Sequence, residues 1–277
     1  MTNPHIRLVA DKVAAPDGAP LIRVAGLEKR FTSRHGEDVV ALTGIDLEVR
    51  RGEFLSVVGP SGCGKSTLMR IVAGLLGPTK GNVSLDGKPV TGPSNDVGIV
   101  FQAATLLAWR TVIDNAMLPA QLQRLDPATS RARVERLLKL VGLEGFERKY
   151  PFELSGGMQQ RVAICRALSH DPSILLMDEP FGALDAMTRE QMNLELMHIW
   201  SDEQKTVVFI THSIPEAVFL ADRVVVMTPR PGRIARIIEV ELPRPRTLAT
   251  LAEASFGELC GKIRALLAPS IPGMAHL

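Results

Sequence analysis

The fold is decided by one stretch of sequence, Gly59-Pro60-Ser61-Gly62-Cys63-Gly64-Lys65-Ser66-Thr67. The apolar residues 54–58 before it are typical of a fully buried strand, and residues 68–75 after it have the apolar spacing of a helix. A glycine-rich loop between a strand and a helix can turn its N–H groups inward and form a nest for anions. The stretch therefore predicts an α/β core built around an anion site.

The side chains of this loop indicate which anion it binds. Lys65 supplies a mobile positive charge for the β- and γ-phosphates, and the hydroxyl of Ser66 is a ligand for Mg²⁺. Every position of the pattern G-x-x-x-x-G-K-S/T is present, in the strand–loop–helix setting that the pattern requires. That setting argues against the plainer alternative, a glycine-rich turn beside a surface lysine. We expect residues 59–67 to bind a nucleoside triphosphate.

Composition limits the class of protein. The chain has 277 residues and is 45% hydrophobic, which suffices for one large α/β domain or for two lobes around one site. Its 32 Lys and Arg residues nearly balance 30 Asp and Glu residues, so no long-range field indicates a nucleic acid partner. The three cysteines, Cys63, Cys165 and Cys260, lack C-x-x-C spacing, which predicts neither zinc nor disulfides and favours a reducing cytosol.

The sequence offers no membrane-spanning segment. No uncharged apolar window of about 18 residues is present, so we expect any membrane role to act through a partner. Residues 1–20 lack the basic-then-apolar order of a signal peptide and are expected to form a flexible N-terminal tail. Residues 268–277 are expected to form a C-terminal tail.

Strand patterns occur on both sides of the phosphate loop, at 21–24, 45–49, 81–88 and 97–102. Asp86-Gly87 is a turn signal inside the third of them. Phe31 precedes the loop in a chain with only 4% aromatic residues, and spacing favours adenine stacking and ordinary strand packing equally. Gln102 at a strand end is either a contact to Mg²⁺ or water, or a solvent-facing loop amide.

Residues 103–151 change to a helical pattern. Apolar residues recur three or four positions apart at Leu118, Leu122 and Leu125, and again at Val134, Leu137, Leu138 and Val141. Asp126-Pro127 and Gly142 are start and stop signals between these runs. We therefore expect a separate helical lobe inserted into the α/β domain. Trp109, with Leu106 and Leu107, is either an exposed apolar surface for a partner or part of the core.

A second anion-attracting helix start lies at Leu154-Ser155-Gly156-Gly157-Met158-Gln159-Gln160-Arg161. Ser155 is a good N-cap, and Gly156-Gly157 allow an anion to approach bare amides at the positive end of the helix. A monomer with one nucleotide site requires only one such helix start.

Acidic residues and a histidine follow later buried strands. Asp178 ends an apolar run and is predicted to hold Mg²⁺ through its water shell, and Glu179 is free to accept a proton from an attacking water. Asp185 lies where the next helix begins, as a helix cap would. His212 ends the strand 206–212, on the edge of a parallel sheet where ligands bind, and is expected to bond the γ-phosphate.

Taken together, these motifs resemble one family closely. They are GPSGCGKST at 59–67, FQ at 101–102, LSGGMQQR at 154–161, ILLMDEPFGALD at 174–185 and THS at 211–213. From about Leu21 to Leu267 the chain resembles the ATP-binding subunit of an ABC transporter, and ordinary P-loop enzymes lack the LSGG signature. The resemblance implies a P-loop NTPase core of the RecA-like type within residues 21–267. An N-terminal antiparallel β-subdomain and a helical subdomain at about 103–168 complete the implied fold.

The resemblance also implies roles for single residues. Gln102 matches the Q-loop residue, which touches Mg²⁺ and water. Ser155, Gly156, Gly157 and Gln159 match the signature, Asp185 the D-loop, and His212 the switch histidine. Phe31 matches the aromatic position that stacks on adenine.

More narrowly, residues 211–234 resemble importer subunits of the nitrate/sulfonate/taurine group. Ser213 stands where many relatives have an acid, and Ala108 stands where a proline is common before Trp109. Implied ligands are ATP and Mg²⁺. Implied partners are a second copy of the chain, with each ATP between one phosphate loop and the other signature, integral membrane permease subunits and, indirectly, a solute-binding protein. The implied place is the cytoplasmic face of the inner membrane, as a peripheral subunit.

The rival interpretation is a soluble ABC-type ATPase of DNA repair or translation. Too few residues separate Ser66 from Ser155 for the coiled-coil arms of the repair type, and no sustained heptads occur there. The translation type has two cassettes in one chain, whereas one phosphate loop and one signature are present. A GTPase is disfavoured because the chain has no N-K-x-D run.

Overall fold

The chain is built on a six-stranded sheet in which all strands but the last run parallel. The computed structural model describes residues 18–32, 38–182 and 184–268, so the tails predicted at 1–20 and 268–277 lie almost wholly outside the described residues. The elements in chain order are β1 (Ile22–Thr32), β2 (Asp38–Val49), β3 (Phe54–Val58), α1 (Lys65–Val72), β4 (Lys80–Leu85), β5 (Lys88–Pro89), β6 (Val97–Val100), α2 (Val112–Leu122), α3 (Pro127–Leu140), α4 (Gly156–Leu168), β7 (Ile174–Asp178), α5 (Ala186–Glu203), β8 (Thr206–Ile210), α6 (Ile214–Leu220), β9 (Arg223–Met227), β10 (Ile234–Glu239) and α7 (Ala254–Leu267).

The order of the large sheet is β10-β9-β3-β8-β7-β6. Strands β3, β7, β8 and β9 are buried along their whole length, which explains why their sequences are apolar runs without alternation. Side chains such as Phe54 and Phe209 enter one hydrophobic core, and their neighbours Leu55 and Val208 enter another on the opposite face. The predicted α/β fold is confirmed.

Register places the functional segments at one edge of this sheet. Val57 of β3 is aligned with Ile210 of β8, and Ile210 is aligned with Asp178 of β7. Because β3, β8 and β7 are parallel neighbours, the segments that follow them leave from the same edge. Those segments are the phosphate loop, the turn with His212, and Glu179. This edge is where ligands bind in open α/β sheets.

A smaller antiparallel sheet, β2-β1-β4-β5, covers the core that Leu55 and Val208 enter. Asp86 and Gly87 form its predicted turn, with φ angles of 48° and 73°. Strand β1 extends to Thr32, well beyond the predicted 21–24. Register shifts between Val24 and Leu27 and again near Lys29 break the alternation of apolar and polar residues, which is why the pattern stops early.

Helices α2, α3 and α4 pack together as an all-helical segment. The predicted apolar face of α3 is confirmed, because Val134, Leu137 and Leu138 are fully buried. The predicted face of α2 is wrong, because Leu122 and Leu125 are 75% and 40% exposed. The buried residues of α2 are Val112, Ile113, Asn115, Ala116, Met117 and Ala120. Leu122 is the last residue of α2 and Leu125 lies beyond it, so neither continues the buried face. Among the described residues no helix is long and apolar enough to cross a bilayer.

A buried ion pair joins the start of β3 to the start of β9. The Nε and Nη2 atoms of Arg223 donate to the two carboxylate oxygens of Glu53, at 2.5 and 2.9 Å. Arg223 also donates to the carbonyl oxygen of Glu48 at 2.7 Å, and Glu53 accepts from the backbone N–H of Arg50 at 2.7 Å. The pair therefore ties the large sheet to the end of β2.

Glu53→Gln is expected to lower the free energy of unfolding by about 3 kcal/mol, because it leaves a buried guanidinium without its counter-charge. Urea unfolding of the two proteins measures the loss. The matched control is Glu48→Gln, whose pair with Arg23 has side chains 58% and 63% exposed, and a change within about 0.5 kcal/mol is expected there. Equal losses in both variants would contradict the role of the buried pair.

Candidate functional site

The phosphate loop runs from β3 into α1 in the predicted strand–loop–helix order. Gly64, the N-cap of α1, has φ 107° and ψ 8°, a left-handed conformation that side chains rarely adopt. A Cβ at this position would also lie 2.6 Å from the Cδ2 atom of Leu42 and 3.1 Å from the carbonyl oxygen of Ala41. Strand β2 therefore closes on the loop so tightly that only glycine fits.

The lysine of the loop bends back over it. Its Nζ atom donates to the carbonyl oxygens of Gly59 and Pro60, at 2.8 and 3.0 Å, and Lys65 is buried as a whole. The side chain of Cys63, within the loop, is buried, and burial raises the pKa of its thiol. Cys63 thus fills space as an uncharged group, while Lys65 concentrates positive charge in the loop.

A hydroxyl and a carboxylate meet beside the loop. The Oγ atom of Ser66 donates to an Oδ1 atom of Asp178 at 3.0 Å, which joins the first turn of α1 to the end of β7. Burial raises the pKa of Asp178, and the nearby Glu179 carboxylate adds to the effect. Two protein oxygen atoms suit Mg²⁺, which keeps most of its ligands as water and substrate phosphate. Among the described residues no group of three or more His, Cys, Asp or Glu side chains could hold a metal by itself.

Glu179 and His212 come together at the sheet edge. The Oε2 atom of Glu179 lies 3.3 Å from the Nδ1 atom of His212. Glu179 has φ 46°, a left-handed conformation that costs about 1–3 kcal/mol for a residue with a side chain. Its backbone N–H donates to the carbonyl oxygen of Ile210 at 2.9 Å, and its own carbonyl accepts from Gly182 at 3.1 Å. These bonds hold the turn that separates the direction of Glu179 from that of Asp178.

The residues on either side of His212, Thr211 and Ser213, are held by hydrogen bonds. The hydroxyl of Thr211 donates to the carboxylate of Glu216 and accepts from the backbone N–H of Ser213 at 3.0 Å. Burial raises the pKa of Glu216. Ser213, where many relatives have an acid, is the N-cap of α6 and accepts from the Glu216 N–H at 3.4 Å. The hydroxyl thus caps the helix without adding charge beside His212.

Most of the loop residues and Glu179 open onto one cavity of about 320 Å³. Its lining consists of Phe31, Val39, Ala41, Ser61, Gly62, Gly64, Lys65, Ser66, Thr67, Glu179 and Arg230. Phe31 is 41% exposed at the end of β1, with the Nζ atom of Lys29 5.1 Å from its ring centroid. Ordinary core packing therefore does not explain Phe31. Asp178 and His212 adjoin this cavity through Ser66 and Glu179.

Several predicted site residues lie outside the cavity lining. Gln102 is exposed beyond β6, with its amide nitrogen beside Gly182. Ser155 is the N-cap of α4 and accepts from the Met158 N–H at 3.3 Å, so Gly156 and Gly157 lie in the first turn of that helix. Gln159 in the same helix donates to the carbonyl oxygens of Pro151 and Leu154. None of these residues reaches the cavity within one chain.

Asp185 is also outside the cavity and caps α5. Its carboxylate accepts from the backbone N–H and the hydroxyl of Thr188, at 3.0 and 2.7 Å. These hydrogen bonds lower the pKa of Asp185. The helix-cap interpretation of Asp185 therefore describes its contacts in the single chain.

Three lining residues were not predicted from the sequence. Val39 and Ala41 belong to β2, and Val39 pairs directly with Phe31. They could be linked to the site only through the pairing of β2 with the strand that carries Phe31, and that pairing is not visible in the sequence. Arg230 lies in the turn between β9 and β10, and no sequence motif connects that turn with the phosphate loop.

Comparison with known proteins agrees with the geometry. The sequence profile of the ABC transporter family matches residues 42–182. An ABC transporter ATP-binding protein of Methanocaldococcus jannaschii is 56% identical over 226 residues, covering 81% of this chain and 84% of that protein. An aliphatic sulfonates import ATP-binding protein of Bacillus cereus is 43% identical, covering 87% and 94%. A taurine import ATP-binding protein of Roseobacter denitrificans is 46% identical, covering 80% and 82%.

Solved structures share the fold. A dimeric bacterial ABC transporter cassette has a TM-score of 0.71 at 34% identity, with 80% of this chain and 100% of that chain covered. A post-hydrolysis state of the same cassette, bound to ADP and Pi, has a TM-score of 0.70 at 33% identity and the same coverage.

The raised pKa of Asp178 predicts a pH-dependent stability effect. The folded chain holds the Asp178 proton to higher pH than the unfolded chain, whose carboxyl has the ordinary pKa of 3.8. The contribution of Asp178 to stability is therefore lost as the pH rises from 3.8 through the raised value. Asp178→Asn, which still accepts the Ser66 bond, is expected to be more stable than the parent at neutral pH. Its advantage should shrink toward acid, as measured by urea unfolding between pH 3 and 7.

The control has the opposite sign. Hydrogen bonds from Thr129 lower the pKa of Asp126, so its carboxylate contributes stability that is lost as the pH falls. The free energy of unfolding of Asp126→Asn should therefore fall relative to that of the parent as the pH rises. The interpretation of Asp178 is refuted by an advantage of Asp178→Asn that grows toward acid.

Proposed function

The chain belongs to the ABC transporter family, and we propose that it is the ATP-hydrolysing subunit of a membrane importer, working as a pair of identical chains. The names of relatives at 43% and 46% identity, which are aliphatic sulfonate and taurine import proteins, support small sulfonate-like anions as the imported solutes. A permease and a solute-binding protein would select among them. The subunit would lie at the cytoplasmic face of the inner membrane, bound to permease subunits.

One observation carries the proposal of a pair. The cavity with Lys65 and Glu179 contains no residue of the helix start at Ser155, although that start offers amides and a helix dipole to an anion. A second copy would bring its Ser155, Gly156, Gly157 and Gln159 to the open side of the cavity. Each triphosphate would then lie between two chains, and the Asp185 turns would meet at the interface.

Binding of the nucleotide follows from the lining. Phe31 presents an exposed ring for the adenine base, and the loop amides from Gly59 to Thr67 with Lys65 hold the phosphates. Ser66, Asp178 and Gln102 are the proposed contacts to Mg²⁺. The ion, when bound, offsets the charge that develops on the phosphate oxygens.

Hydrolysis requires a group that takes a proton from the attacking water. The carboxylate of Glu179 opens onto the cavity and has no Lys or Arg partner among the described residues, so it is available to an attacking water. His212, whose Nδ1 atom lies 3.3 Å from this carboxylate, would orient it and bond the terminal phosphate. The left-handed turn at Glu179 fixes the direction of the carboxylate before the nucleotide arrives.

Coupling to a permease would use the contact between the helical segment and Gln102. The Nε2 atom of Gln160 in α4 donates to the carbonyl oxygen of Phe101, directly before Gln102, at 3.1 Å. A shift of Gln102 toward a bound nucleotide would therefore be transmitted to α4. Trp109, which is 75% exposed, offers an apolar contact on the same segment.

The rival, a soluble ABC-type ATPase of DNA repair or translation, has no observation in its favour. Residues 101–173 contain α2, α3 and α4 without a coiled-coil arm. Purification from membranes with and without detergent distinguishes the two proposals. Recovery with an integral membrane permease is expected, whereas recovery with DNA or ribosomes supports the rival.

Glu179→Gln is expected to lower ATP turnover by roughly 10²–10⁴-fold while ATP still binds, because the amide cannot accept the proton. With Mg²⁺ and ATP this variant should sediment as a dimer that holds two nucleotides, and without ATP as a monomer. Glu135→Gln, an exposed acid on α3, is the control and should hydrolyse ATP like the parent. Near-normal turnover of Glu179→Gln would remove Glu179 from this role.

Ser155→Arg is expected to abolish the ATP-dependent dimer while the monomer stays folded, because the bulky cation occupies the anion-facing helix start. Sedimentation in the Glu179→Gln background measures the dimer, and circular dichroism measures the fold. Ser94→Arg is the matched control, since Ser94 is also an exposed serine that accepts a local backbone N–H. A dimer that persists in Ser155→Arg would count against the shared site.

A further inference from the structure

Beside Lys65, the cavity lining carries one more positive group, the guanidinium of Arg230. Arg230 lies in the turn between β9 and β10 and lines the cavity. Its Nε and Nη2 atoms donate to the carbonyl oxygen of Gly62, at 3.2 and 3.1 Å. Among residues 18–32, 38–182 and 184–268 no Asp or Glu lies within 4.0 Å of it. A cation is thus attached to the phosphate loop with donors left for another acceptor.

The turn that carries Arg230 is fixed by its backbone. Gly232 donates to the carbonyl oxygen of Ala41 at 2.9 Å, and its own carbonyl accepts from Thr43 at 3.1 Å. A Cβ on Gly232 would lie 2.0 Å from the carbonyl oxygen of Cys63, so the turn touches the phosphate loop directly. Prolines on both sides of Arg230 restrict its backbone further. The backbone that carries Arg230 is therefore fixed against the phosphate loop.

Arg230 determines the net charge of the cavity lining. The other charged residues of the lining are Lys65 and Glu179, whose opposite charges offset each other. Arg230 makes the lining net positive at Gly62, in the middle of the loop whose amides attract phosphate. A guanidinium bonds phosphate oxygens through paired N–H groups more strongly than neutral donors do.

We propose that Arg230 is a further nucleotide-binding residue, whose guanidinium bonds the phosphate chain of the nucleotide beside Gly62. The assignment rests on the proposed ATP site. Arg230 then adds affinity for nucleotides that carry phosphates and adds none for the nucleoside. Its bonds to Gly62 keep the fork in place before the ligand binds, which reduces the entropy lost on binding.

Binding titrations of the full chain with ATP, ADP and adenosine test the proposal. Arg230→Gln should weaken ATP and ADP by about tenfold, the usual scale for one charge-assisted hydrogen bond, and leave adenosine unchanged. Its ATP affinity should also fall less steeply with ionic strength, since one cation is gone. Arg230→Lys keeps the charge but loses the paired N–H groups, so its ATP affinity should lie between those of Arg230→Gln and the parent.

Arg233→Gln is the matched control, because Arg233 is an exposed arginine three residues along that does not line the cavity. It should bind all three ligands like the parent. Equal ATP binding by Arg230→Gln and the parent overturns the proposal. Equal weakening of adenosine and ATP also overturns it, because Arg230 then only shapes the loop through its bonds to Gly62.

The proposed function has its own test in the same series. Lys65→Ala should lose ATP affinity whether or not Arg230 contacts the nucleotide. If Arg230→Gln is normal while Lys65→Ala fails to bind, Arg230 alone is excluded. If the parent protein binds neither ATP nor ADP, the proposed ATP site itself is overturned.

Discussion

The parallel register of β3, β8 and β7 is the constraint on which the site depends. Val57, Ile210 and Asp178 lie side by side in this register, so three segments distant in sequence leave the sheet at one edge. Backbone hydrogen bonds hold the register, and burial of both faces prevents a slip, because a shift by one residue would exchange the two faces. The contacts between Ser66 and Asp178 and between Glu179 and His212 follow from this alignment.

Around that edge the structure keeps two acidic residues in unfavourable states. Burial opposes ionisation of Asp178, and Glu179 adopts a left-handed backbone. The two hydrophobic cores on either face of the sheet offset these costs. Groups held in this way are ready for a ligand that carries negative charge and a metal, and this pattern is typical of functional sites. The two cores thus supply the stability that allows the sheet edge to hold these groups.

The fold and the centre of the site could be predicted because their signals are local. The phosphate loop, the apolar runs of β3 and β7 and the caps at Ser155 and Asp185 are each set by neighbouring residues. The face of α2 could not be predicted, because Leu122 is exposed only as a result of where the helix ends against its neighbours. The roles assigned to Gln102 and to the Ser155 helix start remain predictions, since neither reaches the cavity of the single chain.

By itself the sequence determined the family and the α/β core, and it predicted the residues proposed to hold phosphate and Mg²⁺, since each of these signals lies in a short run of residues. Only the tertiary structure decided which of them meet. Val39, Ala41 and Arg230 join the cavity through strand pairing and through the close approach of Gly232 to Cys63, contacts between residues far apart in the chain. No local pattern encodes such contacts, because they depend on the packing of whole sheets.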